Sequence, residues 1–181
     1  VLDDSNTPAE LTTVAEGIAA RATKENFLKN EDYALGVKTP HIVFNFLDYL
    51  LWKKDKISYA DFEFEFRNSV EHWYPQNPSE GTFEPWKNKE ALNSLGNICL
   101  LPRNINSRFS NMSPEAKKTT FKEMIEKGSI KLRIMSELTK GANASATWKT
   151  ETWKNHEGEM ISILKDHCPQ DDECEEKTQQ A

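Results

Sequence analysis

The sequence predicts a mostly helical α+β domain, with helices flanking a short segment that carries two strands. Three observations predict it. Helix-start signals recur at Thr7-Pro8, Thr39-Pro40 and Ser113-Pro114, where a capping hydroxyl precedes a proline suited to the first helical turn. Between residues 62 and 101 the apolar pattern shortens from helical spacing to alternation and then to a four-residue apolar run. At 37% hydrophobic and 29% charged residues, the 181-residue chain can bury one core and lacks the profile of a disordered polymer.

Taken in order, Thr7, Pro8 and Glu10 form a capping box, and Leu11, Val14, Ile18 and Ala22 follow at helical spacing. A second helix is expected over 24–34, ending at Gly36. A third follows Thr39-Pro40 with an apolar stripe of Ile42, Val43, Phe46, Leu47, Leu50 and Leu51. Phe62, Phe64 and Phe66 alternate with Glu63, Glu65 and Arg67, which predicts a strand, with a helix as the alternative. Residues 68–73 continue as a strand or extended turn, and Pro75, Pro78 and Gly81 mark a loop. A short helix is expected over 86–95, closed by Gly96, and then a strand over 97–101 ended by Pro102. Helices are predicted from Arg103 or Asn104, from Ser113 to Gly128, over 129–140 and over 148–167. The last carries Trp153, His156, Met160, Ile163, Leu164 and His167 on one face. The predicted organisation is one domain over 1–167, with N-terminal helices over 1–54, a core over 62–118 and C-terminal helices over 119–167. An acidic disordered tail over 168–181 follows.

No apolar run reaches the roughly 18 residues of a membrane span. The start, VLDDSNTPAE, is acidic, lacks an apolar signal-peptide core and has no initiator Met, so a domain from a longer cytoplasmic protein is expected. The cysteines Cys99, Cys168 and Cys174 form neither a CxxC pair nor a disulfide framework, which fits a reducing compartment. The net charge of −6 is unevenly spread. The tail holds five acids and one Lys, whereas 101–140 holds nine Lys or Arg against four Glu. That basic stretch can face nucleic acid or simply be a solvated helical surface.

Chemistry concentrates between Glu71 and Asn106. Phosphodiester hydrolysis needs a base for water, an electrophile for the phosphoryl oxygens and stabilisation of the leaving oxygen. A hard divalent cation held by oxygen ligands can serve the last two. Glu71 offers a carboxylate, Asn97, Asn104 and Asn106 offer amide oxygens, and His72 has a ring suited to base work near neutrality. On a strand Glu71 and His72 would face opposite ways; in an irregular turn they could converge.

Glu71-His72 with Pro75-Gln76, then Leu95-Gly96-Asn97 and Leu100-Leu101, then Asn106, Phe109 and Lys117 or Lys118, resembles the HNH, or ββα-metal, nucleases. It looks most like the C-terminal nuclease domain of GmrSD-type modification-dependent restriction proteins, a resemblance densest over 64–118. The resemblance implies a ββα-metal finger embedded in flanking helices and a metal-dependent DNA endonuclease that leaves a 5′ phosphate, the effector of a bacterial restriction or phage-defence protein. It implies His72 as general base and Asn97 as the residue that ties the finger loop and orients the base. Glu71 and Asn106 would be ligands of Mg²⁺ or Mn²⁺, with Asn104 competing for the place of Asn106. Arg103, Arg108 and Lys118 would contact substrate phosphate. The implied partners are DNA, including modified DNA, and an N-terminal sensing or nucleotide-hydrolysing domain or subunit outside this chain; no membrane partner is implied. Glu in place of the more usual Asp beside the base departs from the family pattern.

Each residue also has a plainer reading: a structural hydrogen bond for His72, a surface carboxylate for Glu71, a turn cap for Asn97, a helix cap for Asn106. His41, His156 and His167 lack partners at metal spacing. Trp148 and Trp153 are read as core, while Trp73 and Tyr74 are open between core and base stacking. The rival function is a catalytically silent nucleic-acid- or protein-binding module of the same fold. A carboxylate-based hydrolase using Glu63, Glu65 or Glu71 is a second rival.

Overall fold

The computed structural model describes residues 35–167 apart from 66, 80–82, 110 and 142–143, and apart from the side chains of 104 and 107. The helices expected before residue 35 and the tail expected over 168–181, with Cys168 and Cys174, lie outside the described residues.

A single 3₁₀ turn, Gly36–Lys38, leads into helix α1, His41–Lys54. Strand β1 is Ser69–His72, helix α2 is Lys89–Leu92, and a 3₁₀ turn over Leu95–Asn97 feeds strand β2, Ile98–Leu101. Helix α3, Arg103–Phe109, follows at once. Then come α4 (Pro114–Thr120), α5 (Lys122–Glu126), α6 (Ile130–Leu138) and α7 (Ala144–Thr147). A wide π turn, Trp148–Thr152, runs into α8, Trp153–Lys165. The described residues are therefore mostly helical with one small two-stranded sheet, consistent with the α+β class. None of their helices is long and apolar enough to cross a membrane.

The sheet divides the core. β1 and β2 run antiparallel with Ser69 opposite Leu101, Val70 opposite Leu100, Glu71 opposite Cys99 and His72 opposite Ile98. Because side chains alternate across a strand, β2 serves two apolar clusters. Ile98 and Leu100 join Val43, Leu47, Leu51, Met160 and Leu164, from α1 and α8. Cys99 and Leu101 join Trp73, Tyr74, Phe109, Phe121, Leu132 and Trp148 on the other side. All four β2 residues are buried, which explains its continuous apolar run. Opposed residues share a face, so His72 belongs to the first side and Glu71 to the second.

Several elements depart from the sequence reading. No strand forms over 62–65, where Phe62 is buried and Phe64 is 58% exposed, although alternation would put both on one face. Phe62 instead plugs the core while Phe64 leans edge-on against Trp52 and Phe62; Phe66 lies outside the described residues. In α1, Ile42 is exposed and Asp48 is buried. Asp48 Oδ1 accepts from Ser129 Oγ at 3.0 Å and from the Lys131 amide at 2.9 Å, capping the start of α6 from another helix. Gly96 is not a left-handed helix stop. A β-carbon there would lie 2.4 Å from the Trp153 carbonyl oxygen, so this glycine lets α8 pass close by. The helix expected from Ser113 to Gly128 breaks at Phe121 into α4 and α5. On the last helix His156, Met160 and Leu164 are buried, but His167 is exposed.

Candidate active site

Glu71 and His72 sit in the last two positions of β1, with regular pairing to β2. They do not converge; the strand sends them to opposite faces. Glu71 is 7% exposed and meets Lys117, whose side chain is fully buried. Lys117 Nζ donates to Glu71 Oε1 at 2.6 Å, to the His72 carbonyl at 2.5 Å and to the Trp73 carbonyl at 3.0 Å. One ammonium thus gathers the end of β1. Burial pushes the Glu71 carboxyl up and the Lys117 ammonium down, against the pull of each charge on the other.

His72 is half-buried, and its Nε2 lies 3.0 Å from Asn93 Oδ1. Gln76 Nε2 donates to the same oxygen at 3.1 Å. A carbonyl oxygen only accepts, so Nε2 carries the proton and the neutral ring keeps its lone pair on Nδ1. Burial pushes the imidazole below its usual value; the Asn93 bond opposes this and the Lys117 charge adds to it.

Asn97 is fully buried and uses its whole side chain. Its Oδ1 accepts from the Tyr74 amide at 2.9 Å and from Trp148 Nε1 at 2.8 Å. Its Nδ2 donates to the carbonyls of Tyr74 at 3.1 Å and Leu92 at 2.8 Å. These bonds reach from the end of β1 to α2 and pin both. Asn97 does not orient the His72 ring by a direct bond: all four bonding positions are spent elsewhere, and Asn93 meets the ring instead.

Asn106, on α3, donates from Nδ2 to Ser69 Oγ at 2.6 Å and to the Val70 carbonyl at 3.0 Å. This closes α3 onto β1 immediately upstream of Glu71. With its NH₂ committed to the strand, the remaining polar atom is Oδ1, an oxygen donor suited to a hard cation. Asn106 Oδ1 and the Glu71 carboxylate are oxygen donors of the kind Mg²⁺ or Mn²⁺ takes, while Glu71 is buried and its Oε1 is held by Lys117. Among the described residues no group of three or more His, Cys, Asp or Glu could hold a metal. The Asn104 side chain lies outside them.

Arg103 and Arg108 are exposed on α3, and the Arg108 guanidinium lies 5.6 Å from the Phe121 ring centre. Lys118 is placed differently. Its Nζ donates to the Thr139 carbonyl at 2.8 Å, and it lines a cavity of about 630 Å³ with Tyr59, Lys122 and Arg133, which none of Glu71, His72, Asn97 or Asn106 borders. Trp73 and Tyr74 are fully buried, so neither offers a face to a base. Trp148 is buried, as the core reading expects, and Trp153 is partly buried.

Sequence reading missed Asn93 and gave Gln76 and Lys117, both quoted in the motif, no bonding role. Helical phase could have separated Lys117 from Lys118, since Lys117 follows buried Pro114 by three positions and precedes buried Phe121 by four. Asn93, in a turn between two short helical pieces, had no periodic signal.

A small antiparallel sheet followed by a helix bonded back to its first strand, with a histidine at the strand end, sets this chain apart from a purely helical scaffold. The chain belongs to the family of GmrSD restriction endonuclease C-terminal domains, whose model matches residues 20–163. That family places it among the nuclease modules of restriction endonucleases. No curated protein and no solved structure matches it.

Proposed function

We propose that this chain is a metal-dependent DNA endonuclease of the HNH type, the effector module of a bacterial restriction or phage-defence protein acting in the cytoplasm. The observation that carries the reading is the setting of His72. It closes β1, it is partly accessible, and its Nε2 bond to Asn93 leaves Nδ1 with a lone pair. The order β1, β2, α3, with Asn106 bonded back to β1, supports taking these elements as the ββα finger.

In this reading His72 removes a proton from a water aligned with the scissile phosphate. Asn97 supports the loop that carries the base. Glu71 and Asn106 would hold Mg²⁺ or Mn²⁺, which when bound offsets charge on the phosphoryl and leaving 3′ oxygens. Arg103 and Arg108 are assigned to DNA phosphates on the exposed side of α3. Lys118, on α4, is also assigned to a DNA phosphate, with one of its three ammonium hydrogens held by the Thr139 carbonyl. The substrate is DNA, including modified DNA, selected with a sensing or nucleotide-hydrolysing partner.

The test is nicking of supercoiled plasmid with Mg²⁺, with Mn²⁺ and with EDTA. The expected outcome is conversion to open-circular and linear forms with either metal and none with EDTA. Binding of DNA with no cleavage under any metal condition would overturn the reading in favour of a silent binding module.

A further inference from the structure

We propose that Asn93 is a positioning residue for the reaction: it fixes the tautomer and the direction of the His72 ring, and Gln76 and Asn97 fix Asn93 in turn. The inference rests on the reading of His72 as general base.

The geometry runs through four links. His72 Nε2 and Gln76 Nε2 both meet Asn93 Oδ1, at 3.0 and 3.1 Å. With Gln76 Nε2 donating, the oxygen of Asn93 and not its nitrogen faces the histidine. The Asn93 backbone terminates α2, its amide bonded to the carbonyls of Lys89 and Ala91. The carbonyl of the preceding residue, Leu92, accepts from Asn97 Nδ2 at 2.8 Å, so the Asn97 clamp reaches the base through α2. Behind Asn93, a β-carbon added at Gly36 would lie 2.2 Å from the Asn93 carbonyl oxygen. Gly36 has φ of +57° and lets the two segments touch there. Asn93 is thus held from the front by Gln76, from within by its helix end and from behind by the Gly36 turn.

The chemical consequence is specific. A histidine that can take a proton at Nδ1 must carry its own proton at Nε2, and an acceptor facing Nε2 selects that state. An acceptor placed elsewhere, or a donor, would favour the other tautomer or let the ring rotate. Removing the partner of a catalytic histidine acts on its orientation and on the chemical step, not on substrate binding.

The test compares the wild type, Asn93→Ala, Asn93→Asp and His72→Ala as full chains. Ring ¹⁵N shifts of His72 in histidine-labelled protein are read beside single-turnover plasmid cleavage and DNA affinity. In the wild type the Nε2–H tautomer should dominate. In Asn93→Ala the ring should become a tautomer mixture, and cleavage should fall on the order of 10- to 100-fold with DNA affinity unchanged. Asn93→Asp keeps an acceptor oxygen and should restore the Nε2–H signature and most of the rate. If His72→Ala abolishes cleavage while Asn93→Ala alters neither tautomer nor rate, the inference falls and the base reading stands. If Asn93→Ala lowers the rate only in proportion to lost thermal stability, with the tautomer intact, Asn93 is merely structural and the inference falls. If His72→Ala cleaves like the wild type, the base reading falls and takes the inference with it.

Discussion

Asn97 and Lys117 show how single side chains hold the end of β1 in place. Asn97 fills all four of its bonding positions while fully buried. Asn97→Leu would keep the branching of the side chain but orphan the Tyr74 amide and Trp148 Nε1, each buried donor costing about 1–3 kcal/mol. A loss of roughly 3 kcal/mol or more in urea-derived stability is therefore expected; a change within the error of the extrapolation would contradict the clamp. Lys117→Met would leave Glu71 in an apolar setting without its cation. Removing one partner of a buried pair costs about 3–5 kcal/mol, so this variant should be much less stable, and adding Glu71→Gln should recover part of the loss. If the double variant is as unstable as the single one, the cost comes from the His72 and Trp73 carbonyls that Lys117 also serves.

Among the elements, α8 makes the sharpest demand on sequence. It crosses the turn before β2 so closely that Gly96 has no room for a methyl group, the nearest obstacle being backbone at Trp153. Gly158, on α8 itself, has open space around an added β-carbon and sits mid-helix. Gly158→Ala should stabilise the protein by about 0.5–1 kcal/mol through helix propensity, whereas Gly96→Ala should destabilise it, both read by thermal melting; equal effects would contradict this packing. The strands at 69–72 and 98–101 and the helices after Arg103 and Ser113 were legible because each is bounded by local chemistry: an apolar run ended by Pro102, a capping Ser113 whose Oγ accepts from the Ala116 amide. The pattern at 62–67 misled because alternation records polarity alone, and Phe64 finds aromatic neighbours outside the core. At the candidate site, the partners and directions of the side chains were not legible. That His72 turns to Asn93 depends on a contact 21 residues away in sequence, and no periodicity encodes it.

At the scale of the whole molecule, a buried polar cluster joins the layers. Lys131 Nζ donates to the Ile98 carbonyl at 2.7 Å and lies 3.1 Å from His156 Nε2, linking α6, β2 and α8, while its own amide reaches Asp48 on α1. Burial pushes the Lys131 ammonium down to about 8 from an ordinary 10.5. Between those values the unfolded chain binds this proton more than the folded chain does, so stability contributed at this site rises with pH across that window. The difference in unfolding free energy between the wild type and Lys131→Met should accordingly move in favour of the wild type from pH 8 to pH 10; a flat difference would contradict the burial. This frame keeps β1 and β2 in register, with Asn106 bonded to the first two residues of β1 and Glu71 and His72 held at its end, on opposite faces. The central claim is that His72 performs the chemical step there. Single-turnover cleavage of supercoiled plasmid in Mg²⁺ or Mn²⁺, with DNA saturated by protein and binding measured in parallel, tests it most directly. The account predicts that His72→Ala binds DNA as the wild type does and cleaves on the order of 10²- to 10⁴-fold more slowly; cleavage at the wild-type rate by this variant would contradict it.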